Sequence, residues 1–132
     1  MNTRYTVHTA HRPPELAADF DGAAWAVAEQ GVVGCFREES SEHRPDVRFR
    51  ILHNGTHLFV RFHVKDRYVR SVQTAYMGSV CTDSCTEFFV RPKADQGYFN
   101  FEVNAGGTLH LSYIEDPTYG PNGFTRWRPV DA

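Results

Sequence analysis

Two alternating runs joined by Asn54-Gly55 constrain this chain more than any other stretch. Val47, Phe49 and Ile51 alternate with Arg48, Arg50 and Leu52. After His53-Asn54-Gly55-Thr56, Leu58, Val60, Phe62 and Val64 alternate with Phe59, Arg61, His63 and Lys65. Alternation with a period of two marks strands whose two faces differ, and Asn-Gly between such runs supplies the positive φ of a tight hairpin turn. A two-residue turn at Asn54-Gly55 sets the expected register: Ile51 opposite Leu58, Phe49 opposite Val60, Val47 opposite Phe62. The other face then carries Arg48 directly across from Arg61, with Arg50 beside Phe59.

Further strand-like runs follow at Thr86–Arg91, Tyr98–Asn104 and Thr108–Ile114, the last after an Ala105-Gly106-Gly107 turn. In these, Phe88, Val90, Phe99, Phe101, Val103, Leu109, Leu111 and Tyr113 are expected toward the core. Upstream, Pro13-Pro14 prevents a regular element. Asp19-Phe20-Asp21-Gly22 is a turn leading into a short helical run, Ala23–Ala28, capped by Asp21 and placing Trp25 on the core. Residues 37–45 are charged, end in Pro45 and read as an exposed loop. Beyond Ile114, Pro117, Gly120, Pro121 and Gly123 break regularity. Many short strands with little helix predict an all-β chain, an antiparallel β-sandwich of jelly-roll or immunoglobulin-like type. At 132 residues this is a single domain, 1–132.

Charge narrows the function. Lys+Arg 14 against Asp+Glu 16 leaves a formal net charge of −2, with no electrostatic reason to coat nucleic acid or an anionic membrane. No apolar stretch reaches the roughly 18 residues of a membrane span. The first dozen residues are polar and lack the apolar middle of a secretory signal. Three cysteines, Cys35, Cys81 and Cys85, do not make a disulfide framework and leave the compartment open.

The side chains that alternation turns away from the core are unusual for a solvated face. Arg48, Arg50, Phe59, Arg61, His63, Glu87, Phe89, Arg91, Tyr98, Asn100, Glu102, Asn104, His110 and Ser112 combine guanidinium groups, carboxylates, amides and rings. Arginines facing one another need carboxylates close by, and Glu87 and Glu102 are the expected neutralisers. Planar donors and acceptors beside aromatic planes suit the hydroxyls and C–H faces of a sugar. The expected ligand set is Glu87, Asn104, Arg61 and Tyr98, with Glu102, Arg48, Asn100 and Phe89 around it. Trp127 is a further candidate ring. The same residues also read as an ion-paired, purely structural face.

Four short patterns fall in order along the chain. They are Phe20-Asp21-Gly22-Ala23-Ala24-Trp25; the hairpin ending in Val64-Lys65-Asp66; Asp83-Ser84-Cys85-Thr86-Glu87-Phe88; and Tyr98–Asn104 followed by Ala105-Gly106-Gly107. Together, from about Asp19 to Tyr113, they resemble carbohydrate-binding family 9, a DOMON-like β-sandwich. The resemblance implies a non-catalytic saccharide-binding module that acts with glycoside hydrolases in carbohydrate catabolism, in a secreted setting, with structural calcium in some members. It also implies that the chain corresponds to an N-terminal portion, whose partners would be the remaining C-terminal segment or an attached catalytic domain. Glu87 matches the family's ligand-contacting glutamate and Asn104 its asparagine. Glu102 stands where the family uses arginine. Val80-Cys81-Thr82 stands where one of its two clamping tryptophans lies.

Other chemistry is less well supported. Glu87 and Glu102 on adjacent strands could approach the roughly 5 Å of a retaining glycosidase, but neighbouring arginines are expected to lower both pKa values. The histidines show no zinc spacing, so no metal ligands are assigned. Met77 with a histidine is a weak haem reading. Asp19, Asp21, Asp66, Asp83 and Asn54 are oxygen donors in turns, where calcium would be held, although capping of those turns explains them as well.

Overall fold

The structure, a computed structural model, describes residues 4–131. It is predominantly antiparallel β with little helix, the make-up of a β-sandwich. The strands are β1 (His8–Thr9), β2 (Gly31–Val32), β3 (Asp46–His53), β4 (Leu58–Lys65), β5 (Cys85–Val90), β6 (Tyr98–Asn104), β7 (Leu109–Gly120) and β8 (Gly123–Pro129). Among the described residues the helical content is two single turns of 3₁₀ helix, Ala23–Trp25 and Val80–Thr82. No helix among the described residues is long and apolar enough to cross a membrane. The chain divides into two compact units, residues 1–67 and 68–132.

In the first unit β3 pairs along its whole length with β4, while β1 and β2 add to β3 at different positions. The hairpin forms as expected but two residues out of the expected register. Phe49 faces Phe62, Ile51 faces Val60 and Arg50 faces Arg61. Asn54 is the reason. It does not sit at the turn centre with positive φ, which Gly55 alone adopts (φ 93°). Its carboxamide oxygen instead accepts bonds from Thr56 N, Thr56 Oγ1 and His57 N at 2.9–3.1 Å, while Asn54 N donates to His57 O. The turn therefore centres on Gly55-Thr56. A slip of two keeps every side chain on its face.

The arginine-bearing face, expected to be open, is covered as well. Leu52, on the arginine-bearing face, is fully buried, as is Trp25; Ala10 and Ala28 are buried beside them, and Phe59 packs against the group. Chain from the first thirty residues covers this face. Gly22, not Asp21, caps the turn of helix that delivers Trp25. The Asp21 carboxylate is used by Arg50 Nη2, which donates to it at 2.9 Å.

In the second unit the order is β5-β6-β7-β8, all antiparallel. Phe88, Phe99, Phe101 and Tyr113 share one face, with ring centroids 5.0–6.4 Å apart. The β7–β8 hairpin falls where irregular chain was expected. Its ladder tolerates Pro117 through register shifts on either side of Asp116, and the turn is closed by Gly123 (φ 99°).

Candidate functional site

Cross-strand registration builds one mixed face on the second sheet. Glu87, Glu102 and His110 form a row across β5, β6 and β7; Phe89, Asn100 and Ser112 form the next; Tyr98, Ile114 and Trp127 form a third. Alternation thus brings Glu87, Phe89, Tyr98, Asn100, Glu102 and Asn104 to one face, as the sequence predicts. Its inner part is well covered: Asn100, Asn104, Ser112 and Ile114 are buried, as is Val80 of the second helical turn. Glu87, Phe89 and Trp127 stay exposed, the two rings at 52% and 46%. Phe89 lies 5.9 Å from the Tyr98 ring and Trp127 lies 6.3 Å from His110. His110 Nδ1 donates to Gly78 O at 3.1 Å, which fixes the ring beside Glu102.

Arg48 and Arg61 do not join this face, because they belong to the other sheet. Each is accounted for there. Arg48 makes a two-pronged pair with Asp46 at 2.7 and 3.1 Å. Arg61 Nη1 donates to Leu16 O at 3.1 Å, and its guanidinium lies over Trp25. Arg50 reaches Ala28 O, Trp25 O and Asp21, over the Phe20 ring. The expected neutralisation of these arginines by Glu87 and Glu102 is therefore replaced by local aspartates and backbone carbonyls.

That replacement reverses the expected electrostatics of Glu87. Partial desolvation of its carboxyl, then the charge of Glu102, raises the Glu87 pKa. Cys85, two residues before Glu87, is pushed up to about 11 by burial and by Glu87, Glu102 and Cys81. Among the described residues, one ligand atom each of Cys85, Glu87 and Glu102 lie within 4.8 Å of one another.

Asn104 has a different task from the one the sequence suggested. Its Nδ2 donates to Gln73 O and Asp83 Oδ2, each at 2.9 Å. Its Oδ1 accepts from Gly106 N at 3.1 Å and Thr108 N at 2.9 Å. All four bonds a carboxamide can make are thus internal. Asp83, whose side chain is fully buried, also accepts from Val72 N and Gln73 N and pairs with Arg70 at 3.3 Å. Burial alone would raise its pKa; the bonds from Gln73, Asn104 and Val72 and the charge of Arg70 outweigh it and hold the carboxyl below its ordinary value.

Among the described residues the turn carboxylates form no group of three that could hold a metal ion. Asp21 is spent on Arg50, Asn54 on its own turn, Asp66 on His43 at 2.9 Å, and Asp83 on amides and a guanidinium. The Met77 thioether, read above as a haem ligand, accepts from Leu111 N at 3.3 Å.

An antiparallel chain with almost no helix, carrying carboxylates and exposed rings on one sheet face, is a module of the β-sandwich class. The family model described as carbohydrate-binding family 9 matches residues 22–119. The chain belongs to that family, whose domains are non-catalytic carbohydrate-binding modules. A crystal structure of a candidate carbohydrate-binding protein from Bacteroides uniformis ATCC 8492 is similar at 30% identity and a TM-score of 0.67. The match covers 79% of this chain and 44% of that one, so the chain spans less than half the length of this relative. A search among curated proteins finds no match.

Proposed function

We propose that this chain binds a saccharide on the exposed part of the second sheet's mixed face. The supporting observation is the pair of adjoining carboxylates, Glu87 and Glu102, flanked by the exposed rings of Phe89 and Trp127. Carboxylate oxygens accept hydrogen bonds from sugar hydroxyls, and the rings cover the apolar C–H faces. Because two acidic groups with no arginine in their row meet the ligand, the preferred sugars are neutral or amine-bearing, and uronic acids are disfavoured. In a longer protein, the module would hold an attached glycoside hydrolase on its polymer.

Isothermal titration against soluble neutral, amino and acidic oligosaccharides tests this reading. Binding is expected in the first two groups, weakened at least about tenfold by Trp127→Ala or Glu87→Gln, since losing one good contact removes about 1.4 kcal/mol or more. No heat with any saccharide at millimolar concentration overturns it, and so does a preference for acidic chains.

A further inference from the structure

Sugar hydroxyls have little use for a thiol, yet Cys85 stands among the carboxylates. Glu87 is the cross-strand partner of Glu102, and Cys85 precedes Glu87 by two residues on the same face of β5. Like charges directly across a strand pair repel, so two carboxylates and a thiol drawn together leave an electrostatic deficit. We propose that Cys85, Glu87 and Glu102 form a binding site for a divalent metal ion of the zinc class. Their ligand atoms already lie within 4.8 Å of one another. A tetrahedral ion with bonds of about 2.0–2.3 Å sets its donors about 3.5 Å apart, so side-chain rotations of about 1 Å close the group with the two strands unmoved. The thiolate selects zinc over calcium and magnesium, which take oxygen ligands.

A separate observation on Asn100 points to the same ion. Asn100 is 4% exposed, and its Nδ2 donates to Glu102 Oε1 at 2.8 Å, which lays the carboxamide against the cluster. Its Oδ1 is a buried acceptor to which no described residue donates. A zinc ion held by three protein ligands carries water in its fourth position, and such a water is the donor this oxygen lacks. Asn100 then orients Glu102 from one atom and the metal-bound water from the other.

The site is tested on the whole chain with metal alone and no saccharide, so the outcome is independent of the sugar reading, whose preference for neutral and amine-bearing sugars is that of the metal-free chain. Cobalt(II) serves as the spectroscopic probe, followed by zinc in competition with a chromophoric chelator. One equivalent of cobalt is expected to give a sulfur-to-metal charge-transfer band that zinc abolishes. Cys85→Ser removes the band, Glu102→Gln weakens zinc binding, and Asn100→Leu weakens it by about tenfold or more, the usual effect of losing a group that orients a ligand. Cys35→Ser leaves all of this unchanged. The proposal is overturned if the unmodified chain shows no charge-transfer band with millimolar cobalt. It is equally overturned if the band survives Cys85→Ser.

Discussion

Asn104→Ala separates a residue that organises the fold from one that touches ligand. The truncation removes four hydrogen bonds, two donated by Nδ2 and two accepted by Oδ1, from a side chain that is 4% exposed. Three involve backbone groups and are worth roughly 1 kcal/mol each; the bond to the Asp83 carboxylate is worth about 2 kcal/mol. Gly106 is exposed, so its N–H regains water and returns part of the loss. Gln73 O keeps a bond from Thr108 Oγ1, and Asp83 keeps two amides. The expected destabilisation is about 4 kcal/mol, a large share of the 5–15 kcal/mol that holds a typical domain folded. Urea unfolding followed by far-ultraviolet circular dichroism measures it. Asn104→Asp is the sharper companion: it keeps the acceptor but sets a second carboxylate against Asp83 Oδ2, so it should also destabilise at neutral pH and recover on mild acidification. A loss below about 1 kcal/mol for Asn104→Ala, accompanied by lost saccharide binding, would refute the organising role.

Three further outcomes are expected. Gly97→Ala should lower the urea midpoint by about 3 kcal/mol of stability, the upper range for overpacking, because the new Cβ would lie 2.1 Å from the backbone oxygen of Ile114 and 3.0 Å from its carbon; an unchanged midpoint would contradict the close approach of these two segments. Arg50→Lys should cost about 2 kcal/mol, since an ammonium cannot span Ala28 O, Trp25 O and Asp21 as the guanidinium does. Trp25 fluorescence should then shift to the red, and an unshifted spectrum would count against the anchoring role. Asp83, with its pKa depressed in the folded state, contributes stability that is present above its unfolded value of about 3.9 and is lost as pH falls through the lower folded value. Acid titration of Asp83→Asn should therefore show a flatter decline below pH about 4 than the parent chain, and parallel curves would refute the assignment.

The strands and the parity of their side chains are legible in the residues themselves. Alternation from Val47 to Lys65 and from Tyr98 to Ile114 is local information, and it survives a two-residue slip in the hairpin because side chains repeat every second position. The row Glu87–Glu102 follows from the same rule. The β7–β8 hairpin was not legible, because Pro117 and the glycines read as breaks until the register shifts that absorb them are seen.

Solvent exposure was not written in the alternation. Arg50 and Arg61 look like surface residues, yet the fold covers their face with Leu16, Phe20, Trp25 and Ala28, whose rings and carbonyls receive the guanidinium groups. Long arginine stems pack like apolar side chains once their heads find acceptors, so polarity alone does not mark the wet side of a strand. Sequence by itself determined which residues share a strand face. Only tertiary structure decided that the arginines and the glutamates occupy different sheets, because strand pairing between distant segments, rather than side-chain pattern, assigns a strand to its sheet.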